Sequence, residues 1–304
     1  MTLPNLVIAG APKCGTSSLF SWLADHPEAC GSTVKETFYL MDEGHPLRRQ
    51  QSNYQAHGLK GYQSYFQNGA SQHRLVFEAT THYLYQQTAL DVLSNLSSSP
   101  QIVFLLRKPS DRVYSSFQYS KHNLGNVDAR VSFAQFIDAV RSRMEGPSVD
   151  AYAGESAYVL KHDIQYSRYI EYISQWAARC GTDRVHVLLF EEMKREPRMF
   201  MQHLAGRLGI DPTFYDSYDF PVKNETVHIK NPSLQRRARK FHGAIPRGRL
   251  KTWLKGAYLK AQSGQPANGK TAEDRQILAE LEQEFQPFNR RLADEFGLDL
   301  SAWN

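Results

Sequence analysis

The sequence has few cysteines and lacks a long apolar run or a recognisable leader. Its three cysteines, Cys14, Cys30 and Cys180, have no paired spacing, which predicts free thiols in a reducing compartment and no zinc site. The longest apolar runs, such as residues 102–106, are far too short to cross a bilayer. Residues 1–5 lead directly into an apolar segment instead of a signal peptide. We therefore expect a cytoplasmic globular protein without a membrane anchor.

Acidic residues are missing from one long segment near the carboxyl terminus. Residues 226–272 contain eleven Lys or Arg and no Asp or Glu, whereas the whole chain carries a formal charge of +5, so the remainder is net negative. A basic segment on an acidic body indicates a polyanionic ligand unless it is merely a solvated face. The candidates are a nucleic acid, an acidic membrane surface and a doubly phosphorylated nucleotide.

The stretch over residues 6–23, LVIAGAPKCGTSSLFSWL, has the pattern of a phosphate-binding element. An apolar run of strand type is followed by a turn containing Lys13 and Gly15, and then by hydroxyl residues and an apolar helical face. Backbone N–H groups and the dipole at such a helix start attract an anion, and the Lys adds a point charge. A nucleotide-triphosphatase loop, GxxxxGK followed by Ser or Thr, is excluded because Lys13 precedes Gly15. An ordinary strand–turn–helix with a surface Lys is the alternative.

A second motif occupies residues 101–117, QIVFLLRKPSDRVYSSF. A buried strand over residues 102–106 places Arg107 at its carboxyl end, where open α/β sheets bind ligands. The next helix, capped by Ser110 and Asp111, carries Ser115. The planar fork of Arg donates two parallel hydrogen bonds to a phosphate. A kinase would place an acidic residue for Mg²⁺ at such a strand end, and this strand ends in Arg.

The two motifs resemble those of sulfotransferases that use 3′-phosphoadenosine 5′-phosphosulfate (PAPS), closest to the carbohydrate or heparan branch. The first is similar to their 5′-phosphosulfate loop, PKxGTT, and the second to their 3′-phosphate element, LLRxPxxRxxSxY. The resemblance runs over residues 6–303. It implies one P-loop-like α/β domain over residues 1–304, with a central parallel sheet flanked by helices. It also implies PAPS as co-substrate, 3′-phosphoadenosine 5′-phosphate (PAP) as product and no metal. The implied donor-site residues are Lys13, Cys14, Gly15, Thr16, Ser17, Ser18, Arg107, Ser115, Lys230 and Arg236.

Two residues are candidates for the general base of that chemistry. Glu36 lies in KETFY, residues 35–39, which resembles the KExxFF stretch of glycan sulfotransferases, where the Glu takes the proton of the acceptor. His82 lies one position past the catalytic His of the aryl and steroid branch and is the second candidate, although a structural His is the alternative. Residues 78–84 depart from the family pattern with Ala79 in place of a sulfonate-contacting Lys and Thr81 in place of Pro. Lys13 would therefore stabilise the leaving phosphate oxygen.

The remaining expectations concern segments whose sequence is less informative. By resemblance, residues 41–72 and 118–158 form a variable substrate gate, and the basic residues 222–260 cover the nucleotide. Residues 44–69 are predicted to be irregular apart from a short helix near residues 62–66. Ser132 is predicted to cap a helix, and Gly209 to end a helix that begins at Pro197. Periodic apolar residues predict a long helix over residues 157–178 and a final helix over residues 272–296. We expect transfer to a hydroxyl of a glycan or glycosylated small molecule, no nucleic-acid partner, and an oligomeric state that the sequence does not reveal. The alternatives are an aryl, steroid or amine sulfotransferase with a His base, a P-loop small-molecule kinase, and a non-enzymatic binder of polyanions.

Overall fold

The computed structural model describes residues 2–66, 72–142, 151–152, 154–222 and 269–303. They fall into two units. The first comprises the described parts of Met1–Arg112, Arg168–Asn224 and Gln286–Asn304, and the second those of Val113–Ser167 and Glu225–Phe285. The expected single domain over residues 1–304 stays a prediction.

Strands and helices alternate over residues 6–118, and helices predominate after that. In order they are β1 (Leu6–Gly10), α1 (Thr16–Ala24), β2 (Ala29–Gly31), α2 (Tyr54–Gln63), β3 (Leu75–Glu78), α3 (Gln87–Ser94), β4 (Gln101–Leu106), α4 (Pro109–Gln118), α5 (Phe133–Arg141), α6 (Gly154–Lys161), α7 (Asp163–Tyr166), α8 (Ile170–Cys180), β5 (Val185–Leu189), α9 (Phe190–Arg195), α10 (Pro197–Leu208) and α11 (Ala272–Phe296). Short 3₁₀ turns cover Ser64–Phe66, Thr81–Tyr85, Pro212–Asp216 and Ser301–Trp303, and a π-helical turn covers Tyr119–Leu124.

The strands described by the structure form one parallel sheet in the order β2-β3-β1-β4-β5. The central strand β1 pairs with β3 on one side and with β4 on the other. β1 and β3 are buried along their whole length, as expected for strands covered on both faces, and this burial explains the apolar sequence of β1 and of residues 75–77 in β3. Since all the strands are parallel, their carboxyl ends meet at one edge. The predicted α/β fold with a central parallel sheet is confirmed.

Two predicted caps were confirmed, whereas Ser110 and Asp111, predicted to cap α4, lie in its first turn because α4 begins at Pro109. Ser132 caps α5 in a reciprocal capping box with Gln135, and Gly209 ends α10 in the left-handed conformation. The final helix has the predicted bounds.

Two predictions of where helices lie were wrong. The long helix expected over residues 157–178 is divided into α6, α7 and α8. At the second break, the Ser167 hydroxyl donates to the carbonyl of Asp163, a local bond that competes with helix continuation. Residues 44–69 were expected to be irregular with a short helix near residues 62–66, whereas α2 begins at Tyr54 after the cap Asn53. Its period is interrupted by Gly58, whose φ is 55°.

The second unit has an apolar core of its own. Phe117, Phe133 and Phe136 pack together, with Leu281 and Phe285 of α11 in the same cluster. The described part of the predicted gate segment 118–158 lies in this unit. Within the described residues, no helix combines the length and apolar character needed to cross a membrane.

Candidate active site

The loop between β1 and α1 has a backbone that only a few residue types tolerate. Lys13 has φ 69° and Gly15, the residue preceding α1, has φ 84°. A Cβ atom on Gly15 would lie 2.6 Å from the ring of Phe190, so no larger residue fits without displacement. The nine-residue α1 has no acidic residue in its first turn, and its N-terminus is therefore suited to an anion.

The side chains of this loop differ in orientation. Lys13 and Ser17 are partly exposed, whereas Thr16 and Ser18 are buried. Cys14 is also buried, with its Sγ 3.7 Å from the hydroxyl of Tyr169. Burial raises the pKa of the Cys14 thiol to about 11, so this side chain is a neutral part of the core. The buried side chain of Cys14 is therefore not accessible to a phosphate, and only its backbone could contact one.

Arg107 lies at the carboxyl end of β4, beside this loop. Its guanidinium carbon is 5.2 Å from the centroid of the Phe190 ring, the same ring that approaches Gly15. Tyr169, which contacts Cys14, donates a hydrogen bond of 2.9 Å to the carbonyl oxygen of Arg107. Tyr169 and Phe190 therefore hold the loop between β1 and α1 and the end of β4 together.

Glu191 connects the end of β4 to the carboxyl-terminal tail. Its Oε1 accepts the backbone N–H of Lys108 at 3.0 Å, and its Oε2 accepts the indole N–H of Trp303 at 2.9 Å. The buried Trp303 thus fixes the carboxylate that supports the residue after Arg107. Sequence reasoning left Glu191 without a role.

Three predicted donor-site residues are not placed in this cluster by the structure. Ser115 lies in α4 and belongs to the second unit. Lys230 and Arg236 lie outside the described residues, as does most of the basic segment. Their roles stay predictions.

Glu36 lies in the segment after β2, at the same edge of the sheet. Its side chain is 34% exposed, and its Oε1 is 3.2 Å from Nζ of Lys35. The Thr81 hydroxyl donates to the same oxygen at 3.1 Å, and Arg49 donates to the Glu36 carbonyl at 3.1 Å. The carboxylate is thus held in place by neighbours and remains accessible to a substrate.

His82 is 8% exposed and lies in the turn after β3. Among the described residues, its Nδ1 has no hydrogen-bond partner. Burial lowers the pKa of His82 to about 4, the charge of Glu36 acts in the opposite direction, and His45 and Arg112 lower it further. The imidazole is therefore neutral at pH 7 and a weak base.

Sequence reasoning missed the residues that support the candidate site: Thr81, Tyr169, Phe190 and Glu191. Two signals could have found some of them. Phe190 and Glu191 directly follow the apolar strand β5, and the carboxyl ends of parallel strands share one edge. Thr81 replaces a Pro of the family pattern, so it adds a hydroxyl beside Glu36.

The residues present fit a ligand with two separate phosphate groups. One group would meet the start of α1 with Lys13, and the other would meet Arg107, because β1 and β4 pair directly. Within the described residues, no cluster of three or more His, Cys, Asp or Glu could hold a metal ion.

Comparisons with known proteins agree on the family. Residues 3–294 match a family model described as Sulfotransferase domain. A bifunctional heparan sulfate N-deacetylase/N-sulfotransferase 1 from Caenorhabditis elegans is 26% identical over 218 residues, 71% of this chain and 23% of that protein. The human bifunctional heparan sulfate N-deacetylase/N-sulfotransferase 3 is 22% identical over 213 residues, 70% of this chain and 23% of that protein. The chain thus spans less than a quarter of these relatives.

A solved structure supports the fold. The crystal structure of a sulfotransferase from Alicyclobacillus acidocaldarius superposes with a TM-score of 0.63 at 20% identity, covering 100% of this chain and 99% of that one.

Proposed function

Because the chain belongs to the sulfotransferase family, we propose that it transfers the sulfonate group of PAPS to an acceptor hydroxyl, of a glycan or a glycosylated small molecule. The main support is that the Lys13 loop and Arg107 follow β1 and β4, two strands that pair directly. Two anion-binding elements therefore lie side by side at the edge where α/β sheets bind ligands.

The donor site is assigned to groups that match the two phosphates of PAPS. Lys13, the backbone at Cys14 and Gly15, and the first residues of α1, Thr16 to Ser18, would hold the 5′-phosphosulfate. Arg107 would hold the 3′-phosphate with its planar fork. Ser115, Lys230 and Arg236 are included by resemblance to the family.

The reaction is an in-line displacement at sulfur. Glu36 takes the proton of the acceptor hydroxyl while that oxygen forms a bond to sulfur. The bond between sulfur and the phosphate oxygen breaks, and its electron pair stays on PAP. Lys13 stabilises this developing negative charge, which is electrostatic help of the kind that usually dominates catalysis.

Glu36 is preferred to His82 as the base for reasons of environment. Glu36 is accessible and is held by Thr81 and Lys35. His82 is almost fully buried, which restricts the approach of an acceptor hydroxyl to its ring. A neutral imidazole beside Glu36 suits a role in contacting the substrate.

The nature of the acceptor is supported by the surroundings of Glu36 and by the relatives. Two cationic side chains, Lys35 and the exposed Arg49, lie at Glu36, which suits an anionic glycan. The curated relatives are named for heparan sulfate and for transfer to nitrogen, so an amino sugar belongs among the acceptors tested.

We expect turnover without a metal, which assays with and without EDTA will test. The three free thiols support a cytoplasmic location, which fractionation of the native host will test.

Thermal unfolding with PAP, ADP, ATP·Mg²⁺ or no ligand tests the donor. A ligand at about 100 times its Kd stabilises by about 2.7 kcal/mol, which is a measurable shift of Tm. We expect a shift with PAP that Arg107→Ala abolishes. Arg179→Ala is the matched control, because the ion pair of Arg179 with Asp91 is exposed, and this variant should keep the shift. A shift with ATP·Mg²⁺ and none with PAP would contradict the proposal and favour a kinase.

A panel of acceptors then tests the second substrate. Purified protein and PAPS are incubated with a glucosamine-containing heparan oligosaccharide, a p-nitrophenyl glycoside or 2-naphthol, and each product is analysed for a gained sulfonate. We expect the oligosaccharide to react, and Glu36→Gln to lower kcat about 10²- to 10⁴-fold while leaving a measurable residual rate. Preference for 2-naphthol, with activity lost in His82→Gln and kept in Glu36→Gln, would favour the aryl branch instead.

A further inference from the structure

Glu78 is a buried carboxyl group to which neither donor binding nor proton transfer assigns a role. It is the last residue of β3, at the carboxyl edge of the sheet, and is 0% exposed. Three hydroxyl groups, of Thr37, Thr80 and Tyr62, hydrogen-bond to its two oxygens. In its ionised form Glu78 has no proton to donate and is the common acceptor of all three.

These hydroxyl groups join the end of β3 to the segment that carries Glu36. Thr37 directly follows Glu36, and its backbone N–H donates to the Thr80 hydroxyl oxygen at 3.0 Å. The Tyr83 hydroxyl lies 2.8 Å from the Thr37 hydroxyl. It also accepts hydrogen bonds from the backbone N–H groups of Tyr39 and Leu40, each at 3.1 Å. The bonds thus run from the backbone of residues 37–40 through Tyr83 and Thr37 to Glu78.

The segment needs this support because its backbone is strained. Phe38 has φ 50°, a left-handed conformation that is unfavourable for a bulky residue and persists only where its surroundings enforce it. The residues on both sides of Phe38 are bonded to the cluster, Thr37 through Thr80 and Tyr39 through Tyr83. The position of Glu36 therefore depends on bonds that converge on Glu78.

We propose that Glu78 is a positioning residue for sulfonate transfer, which fixes residues 37–40 through three buried hydroxyl groups and thereby directs the carboxylate of Glu36. This inference rests on the proposed role of Glu36 as base. Glu78 itself lies beneath the site and contacts no reactant. In Glu78→Gln, an amide N–H₂ group faces hydroxyl groups that in the native protein donate to the carboxylate. At least one hydrogen bond of the cluster must therefore reverse or break.

A double-mutant cycle with Glu36→Gln tests the inference. The rate measured is formation of PAP from PAPS in the presence of the heparan oligosaccharide, which records transfer to any acceptor, water included. In the otherwise native protein, Glu78→Gln should lower kcat about tenfold, with KM for PAPS and the PAP-induced shift of Tm unchanged. In the Glu36→Gln background it should change kcat by less than about twofold, because a residue that acts through another has no effect once that other is gone.

Control variants keep the test decisive. Asp163→Asn removes an equally buried carboxyl group in the second unit, and any effect it has should be the same factor in both backgrounds. Should Glu78→Gln fail to fold, Tyr62→Phe deletes a single bond of the cluster and should lower kcat about threefold in the native background only.

The outcomes separate this inference from the proposed function. The positioning role would be overturned if Glu78→Gln lowered kcat by the same factor in both backgrounds. It would also be overturned if Glu36→Gln were impaired but Glu78→Gln left the kcat of the otherwise native protein unchanged. Full activity of Glu36→Gln would instead overturn the proposed base, and absence of PAP formation by the native protein would overturn the proposed reaction.

Discussion

Two buried titratable groups, Glu78 and His82, should give the stability of the protein opposite dependences on pH. Burial raises the pKa of Glu78 from 4.5 to about 7, against the opposing effect of its hydrogen bonds. Between these values the folded state binds more protons than the unfolded state. The contribution of Glu78 to the free energy of unfolding is therefore largest below pH 4.5 and falls as the pH rises to about 7. At about 1.4 kcal/mol per pH unit, the decrease is about 3 kcal/mol.

His82 acts in the other direction. Burial lowers its pKa from 6.5 to about 4, so between these values the unfolded state binds more protons. The free energy of unfolding should therefore rise by about 3 kcal/mol as the pH increases from 4 to 6.5. The two effects should nearly cancel from pH 4.5 to 6.5 in the native protein.

Removing either group should reveal the effect of the other. In Glu78→Gln, stability should rise by about 3 kcal/mol between pH 4 and 6.5, and in His82→Gln it should fall by about 3 kcal/mol between pH 4.5 and 7. Urea unfolding followed by Trp fluorescence is a suitable assay, because Trp22, Trp176 and Trp303 all belong to the first unit. The same slope against pH in the native protein and both variants would refute the reasoning.

Three further predictions concern the donor side. Gly15→Ala should cost about 1–3 kcal/mol of stability and abolish the PAP-induced shift of Tm, because its φ is 84° and the space for a Cβ is filled. The control Gly206→Ala, in a helix and with nothing within 4 Å of the added Cβ, should instead stabilise by about 0.5–1 kcal/mol in urea unfolding. Trp303→Phe should lower the free energy of unfolding by about 1.5–3 kcal/mol, because it removes a bond to the Glu191 carboxylate; an unchanged urea midpoint would contradict this. Lys13→Ala should lower kcat about 10²- to 10³-fold in the PAP-formation assay; a loss below about tenfold would contradict its role.

The strands and helices of the proposed donor side could be predicted from the sequence because each is contiguous. Lys13, Gly15 and the start of α1 lie within one strand–turn–helix, and Arg107 follows directly from the buried strand β4. Local signals decide such elements: a short apolar run predicts the strand, and a Gly-rich turn predicts the bend. The pairing of β1 with β4 is not local, and it is what places the two elements side by side.

The acceptor side could not be predicted to the same extent because it depends on contacts across distant segments. Glu36 was identified by resemblance, but its partner Thr81 is 45 positions away in the sequence. The bonds of Glu78 likewise come from Thr37, Thr80 and Tyr62, of which only Thr80 is local. No period or cap in the sequence indicates that hydroxyl groups after β3, on α2 and after β2 will share one carboxylate.

The replacement of the family's Pro by Thr81 shows how such a departure can be interpreted physically. A Pro at this position could fix the turn after β3 but could not donate a hydrogen bond, because it has neither a backbone N–H nor a hydroxyl. Thr81 bonds to Glu36, while its neighbour Thr80 bonds to Glu78, so two adjacent hydroxyl groups connect the proposed base and the proposed positioning residue. Ala79, in place of a Lys, leaves no cation from this strand end at the reacting sulfur and is itself fully buried. Both departures therefore concern the same side of the site: Thr81 strengthens the hold on the proposed base, and the absence of a Lys at position 79 leaves Lys13 as the residue proposed to stabilise the leaving oxygen.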